Sequence, residues 1–126
     1  MTIKKFNLII LIILSLTTGG CSDKNPQIST ASVIVFKDWK EPVQFESKIK
    51  KTDKSIKIDL NIKSTSGIIG FEIKNPKGEV VWNGDVEGGQ NYSKFKQFEA
   101  IQGTWYTNII SKNGEGNFGV KFLREM

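Results

Sequence analysis

The 126-residue sequence predicts an all-β fold, a single antiparallel β-sandwich. Three observations predict it. Apolar and polar residues alternate with a period of two over most of the chain after residue 31, the pattern of strands with one buried face. Turn chemistry recurs about every 10 residues, as expected for many short strands joined by hairpins. After Cys21 no segment carries an apolar stripe at helical spacing.

The chain opens with "MTIKKFNLIILIILSLTTGGC". Lys4 and Lys5 form a basic start, Phe6 to Leu16 an apolar stretch, and Thr17 to Gly20 a run of small residues. That order is the signature of a secretory signal peptide. The apolar stretch is shorter than the roughly 20 residues that span a bilayer as a helix, so residues 1–20 are expected to be removed. Subtracting those 20 residues from 126 leaves 106 from Cys21 onward, with 16 basic and 13 acidic side chains once Lys4 and Lys5 are gone. This is one small domain. It must hold together without a disulfide, because Cys21 is the only cysteine. A net charge of about +3 is weak attraction for an anionic partner, and no nucleic-acid motif is present.

A lone thiol in an oxidising compartment is a liability. The chain contains no histidine to activate it. Pairing between molecules and attachment of lipid remain. Here residues 1–21 resemble the processing region of bacterial lipoproteins. Gly19-Gly20-Cys21 fits the last three positions of that site, and Thr18 stands where Leu is usual. The resemblance implies cleavage before Cys21, a diacylglyceryl thioether on its sulfur, and fatty acylation, palmitate included, of its amine. The protein would then sit outside the cytoplasm on the cell membrane or, in a Gram-negative cell, on the outer membrane, because Ser22 is not the Asp of the inner-membrane retention signal. Two or more acyl chains anchor stably where one binds only reversibly. Residues 21–31 are read as the lipidated Cys followed by a flexible polar spacer, and residues 32–126 as the folded domain. Ten extended residues reach about 33 Å at most.

The strands follow in order. "SVIVFK" (32–37) and "VQFESKI" (43–49) alternate. In "KSIKIDLNIK" Ile56, Ile58, Leu60 and Ile62 face one way, and Lys57, Asp59, Asn61 and Lys63 the other. "IIGFEIK" (68–74), "EVVWNG" (79–84), "KFKQFE" (94–99) and "TWYTNIIS" (104–111) come next. "GNFGVKFL" closes the set, with Phe118, Val120 and Phe122 inward and Asn117, Gly119 and Lys121 outward. That makes about eight short strands. Between them, "NPKG" (75–78) suits a type I turn. "SKNGEG" (111–116) carries Asn-Gly, a strong hairpin signal. "STSG" (64–67), "EGGQN" (87–91) and "IQG" (101–103) also break the pattern.

From "FEIKNPKGEVVWNG" through "GTWYTNIISKNGEGNFGVKF" the chain loosely resembles the last strands of small jelly-roll-like secreted domains of the GOLD and bacterial pre-peptidase C-terminal types. Gly103-Thr104-Trp105 and the Asn113–Gly116 turn carry that likeness, which implies a jelly-roll-like sandwich.

Chemistry is sparsely provided for. Without histidine there is no Ser-His-Asp triad and no imidazole metal ligand. Asp85 and Glu87 are a weak calcium candidate with Asn83 and Asn91, but the D-x-[DN]-x-[DN]-G loop is absent. No metal, cofactor or catalysis is expected. Trp82, Trp105 and Tyr106 are the candidate ligand-binding residues. Trp82, at a strand end beside Asn83-Gly84, is the best placed for an exposed platform. Trp105 and Tyr106 are adjacent and therefore face opposite sides of a strand. Trp39 is expected in a loop. The expected function is a membrane-anchored envelope lipoprotein whose non-catalytic sandwich is an interaction or structural module with an envelope protein as partner. The alternative is a carbohydrate or cell-wall-polymer binding module that uses exposed aromatics.

Overall fold

The computed structural model describes residues 27–36 and 39–125. Six strands form: β1 (Gln27–Val35), β2 (Val43–Ile49), β3 (Ser55–Lys74), β4 (Val80–Glu87), β5 (Asn91–Glu99) and β6 (Gly103–Glu125). All pairings are antiparallel. The all-β antiparallel expectation holds; the strand count changes. β3 fuses the strands expected around 55–63 and 68–74, and β6 fuses those around 104–111 and 117–123.

β3 and β6 lie side by side for their whole lengths, from Ser55↔Glu125 to Lys74↔Tyr106. On the free side of β3, β5 pairs with residues 55–63 and β4 with residues 68–74. On the free side of β6, β2 pairs with residues 103–109 and β1 with residues 116–123. The sheet is thus four passes wide and is folded across its middle. Half I has the order β1–β6–β3–β5, and half II has β2–β6–β3–β4. The end of β1 at Val35, the start of β2 at Val43 and the 88–90 turn fall at the same level as the bends in β3 and β6.

The fold line has a steric cause. Register shifts interrupt the β3–β6 ladder at Ser64, Ser66 and Ile68. Gly67 takes φ +64° there, and a Cβ on it would overlap the Asn113 carbonyl. Only glycine accepts both conditions cheaply. The β4–β5 turn is stitched to this bend by Gly88 N–H to Gly67 O at 2.8 Å and Gly89 N–H to Ser64 O at 2.7 Å. The Asn-Gly hairpin expected at 113–114 is not formed. A type I′ turn needs positive φ at both central residues; here Asn113 has φ 59° but Gly114 is not in that region. The pair bends β6 without reversing it. The turn at 75–78 does form, with Gly78 N–H donating to Asn75 O at 2.9 Å.

Folding the sheet brings its two apolar faces together. Half I contributes Val33, Val35, Ile56, Ile58, Leu60, Ile62, Phe118, Val120 and Phe122, all buried. Half II contributes Val43, Phe45, Ile69, Phe71, Ile73, Trp82, Trp105 and Ile109. Rings meet across the interface: Phe45 and Phe118 at 6.4 Å, Phe98 and Trp105 at 6.0 Å, Trp105 and Phe122 at 6.2 Å. Ser29 and Ser47 hydroxyls bridge the halves at 2.8 Å. At the open end, opposite the fold line, Arg124 Nε lies 3.1 Å from the buried carboxylate of Asp53.

β1 begins at Gln27, so residues 27–31, read as the end of the spacer, are strand. Their polar side chains are half-buried, which a sheet edge tolerates because one side stays wet. Cys21, the first 20 residues and the rest of the spacer lie outside the described residues.

Candidate functional site

The outer face of half I carries an open depression of about 300 Å³. Two rows of residues cross all four strands there. In the first row Thr30 pairs with Lys121, Lys121 with Asp59, and Asp59 with Phe95. In the second, Ser32 pairs with Gly119, Gly119 with Asn61, and Asn61 with Ser93. Opposed residues of an antiparallel pair share one face. These rows are the polar half of the alternation whose apolar half fills the core.

Gly119 makes the depression. It stands on a central strand, and its missing side chain leaves the middle of the second row empty. Phe95 forms one wall. It is 58% exposed, and the Lys57 ammonium sits 4.7 Å from its ring centroid, within cation–π range. Asp59 and Lys121 are cross-strand neighbours, yet the ion pairs found among the described residues are Lys74–Glu72 and Arg124–Asp53. Asp59, Asn61, Ser32, Ser93 and Lys121 thus offer a carboxylate, an amide, hydroxyls and an ammonium to the cleft beside an apolar ring.

The expected site residues fall elsewhere. Trp82 is 5% exposed, which corrects its reading as a platform. It packs edge-on to Phe71 at 5.8 Å, and the Lys96 ammonium lies 5.2 Å from its ring centroid. Its strand end is not a surface, because β5 folds over it from half I. Trp105 is 1% exposed and donates from its indole N–H to Ile101 O at 2.9 Å. Neither indole is open to a ligand. Tyr106 faces outward, opposite to Trp105, as adjacency required. It lies on half II between Glu46 and Lys74, on the face away from the cleft. Asp85 and Glu87 are exposed on β4, in a strand and not a loop. Among the described residues no three His, Cys, Asp or Glu side chains gather to hold a metal. Trp39 falls outside the strands, in the segment that joins β1 to β2, and is buried.

Phe95, Gly119 and Ser93 were not singled out from sequence, although one signal was there. Phe95 and Phe98 lie three apart on one strand, so they cannot share a face. With Phe98 packed on Trp105, Phe95 must point out.

No protein-family model matches the chain, and no curated protein sequence matches it. Solved structures do. The pre-peptidase C-terminal domain of a collagenase from Bacillus anthracis is 12% identical, with a TM-score of 0.52 over 75% of this chain and 87% of that one. A chain of Broad Bean Stain Virus is 8% identical, with a TM-score of 0.51 over 89% of this chain and 91% of that one. Carbohydrate-binding modules recur among the similar structures. One of them, TmCBM61 solved with β-1,4-galactotriose, is 10% identical at a TM-score of 0.48, over 91% of this chain and 83% of that one. At such identities likeness establishes architecture. The pre-peptidase C-terminal resemblance is therefore met at the level of the sandwich fold.

Proposed function

We propose that this chain is a lipid-anchored, extracytoplasmic binding module that holds a saccharide in the half I cleft and performs no chemistry. The observation that carries the proposal is an exposed phenyl ring next to a row of unpaired hydrogen-bonding side chains. A sugar presents apolar C–H faces and a rim of hydroxyls, and this lining answers both. Strands hold the contributing residues, so the surface is preorganised and little ordering is needed on binding. Glycoside hydrolysis ordinarily needs two carboxyl groups flanking the bond. Asp59 is the one carboxylate lining the cleft, which favours binding over catalysis. Residues 1–21 support the anchor through their lipoprotein-like order of charge, apolar run and Gly-Gly-Cys.

The test is calorimetric titration of the protein with a panel of neutral and acidic oligosaccharides. A member of the panel binds, and Phe95→Ala weakens it by about tenfold or more, equivalent to roughly 1.4 kcal/mol. The unfolding temperature stays put, because the ring is largely solvated. If no oligosaccharide binds, or if Phe95→Ala binds as the parent does, the proposal is wrong.

A further inference from the structure

We infer that the free edge of β1 is a self-association surface, where a second copy of this chain adds its own β1 antiparallel to the first. An edge strand presents a row of unpaired backbone N–H and C=O groups, and folded proteins normally blunt such edges with charge, proline or irregularity. Three of the four edges here are blunted. β5 turns Lys94 and Lys96 onto the core-facing side, opposite Leu60 and Ile58. β2 follows Pro42 and exposes Glu46 and Lys48. β4 exposes Asp85 and Glu87 and shifts register at Val80.

β1 has none of this over its regular stretch. Its residues Ser29 to Val35 run in unbroken register with β6. No charged residue occurs from Gln27 to Phe36. Ile34 is 59% exposed and Phe36 48%, two of the four large apolar side chains left exposed among the described residues.

The choice of occupant follows from charge. Self-pairing at the β5 or β4 edge sets like charges near one another, which destabilises a cross-strand pair, and β2 carries charges of both signs over only seven residues. Self-pairing at β1 brings no charges together. An axis through Ser32 would set Thr30 against Ile34 of the second copy, and Ile34 against its Thr30. Both half I sheets would then become one eight-strand surface. Thr30 and Ser32 line the cleft, so the two clefts would adjoin across the new seam. A strand joint of this length buries less than a standard interface, so the dimer is a reversible one.

Sedimentation velocity on residues 22–126, across the low to high micromolar range, tests this. That span carries the whole described core, from Val33 to Phe122. The expected result is a concentration-dependent dimer, with the midpoint for Ile34→Lys moved to roughly tenfold higher concentration. Val80→Lys, which alters an exposed apolar residue on the β4 edge, leaves the midpoint where it was. Circular dichroism confirms that each variant keeps its sheet. A protein that stays monomeric throughout overturns the inference. So does a dimer indifferent to Ile34→Lys, or one equally sensitive to Val80→Lys. Phe95→Ala should leave the dimer intact, so loss of saccharide binding and loss of self-association are read separately.

Discussion

Replacing Gly119 separates the needs of the cleft from those of the fold. Glycine in a strand interior destabilises by about 0.5–1 kcal/mol relative to alanine, because the unfolded chain is freer. At Gly119 the backbone is not left-handed, and a Cβ would meet Asn61 O at 3.7 Å, Ala31 O at 3.9 Å and Asn61 Cβ at 4.0 Å. These are ordinary contacts, so Gly119→Ala should fit without strain. For a domain of this size 1 kcal/mol corresponds to about 4–8 °C, so thermal unfolding should rise by about 2–8 °C. Gly119→Val adds β-propensity and places a branched side chain on the cleft floor. It should be at least as stable as the alanine variant, and its affinity for any oligosaccharide bound by the parent should fall by about tenfold or more. Calorimetry of unfolding and of binding on the same samples gives both numbers. A valine variant that is stabilised and still binds at full strength would place the ligand elsewhere. A drop in unfolding temperature for alanine would mean that the position is not open.

Two further outcomes test other parts of the structure. Gly67→Ala and Gly78→Ala both place alanine at positive φ, which costs about 1–2 kcal/mol. At Gly78 nothing lies within 4 Å, whereas at Gly67 the new Cβ overlaps the Asn113 carbonyl. Chemical denaturation should therefore show Gly67→Ala losing about 3 kcal/mol or more, clearly beyond Gly78→Ala; equal losses would refute the account of the fold line. Cys21→Ser should move the protein from the membrane fraction to the soluble one and abolish incorporation of labelled palmitate. Unchanged fractionation would remove the anchor.

Strand parity was legible in the sequence. Ile56 to Ile62 and Phe118 to Phe122 turn inward as their alternation required, and Asp59, Asn61, Gly119 and Lys121 turn outward. Trp105 and Tyr106 split between the two faces, as neighbours on a strand must. Strand continuity was less legible. A bend made by Gly67 or by Asn113-Gly114 uses the same residues as a reversal, and local chemistry does not say whether the chain folds back or carries on. Tertiary pairing decides, because β3 and β6 each remain hydrogen-bonded to the other beyond the bend. Trp82 was misplaced for a related reason: its strand end is covered by a strand more than ten residues further along. The cleft was out of reach as well. Its two rows draw on residues from 30 to 121, and only the register of four strands sets them side by side.

The order in which the passes are laid down has a bearing on the export that the proposed anchor requires. Among the described residues β1 and β2 pair only with β6, which is made after the other five strands. Until it emerges, the early strands have no partner, and contacts as distant in sequence as Ser55 and Glu125 must wait. Topologies of this kind close slowly. A nascent chain built this way leaves β1 and β2 unpaired until its last stretch is made. A chain with unpaired strands is one that a translocation channel can still thread, as the proposed anchor would need.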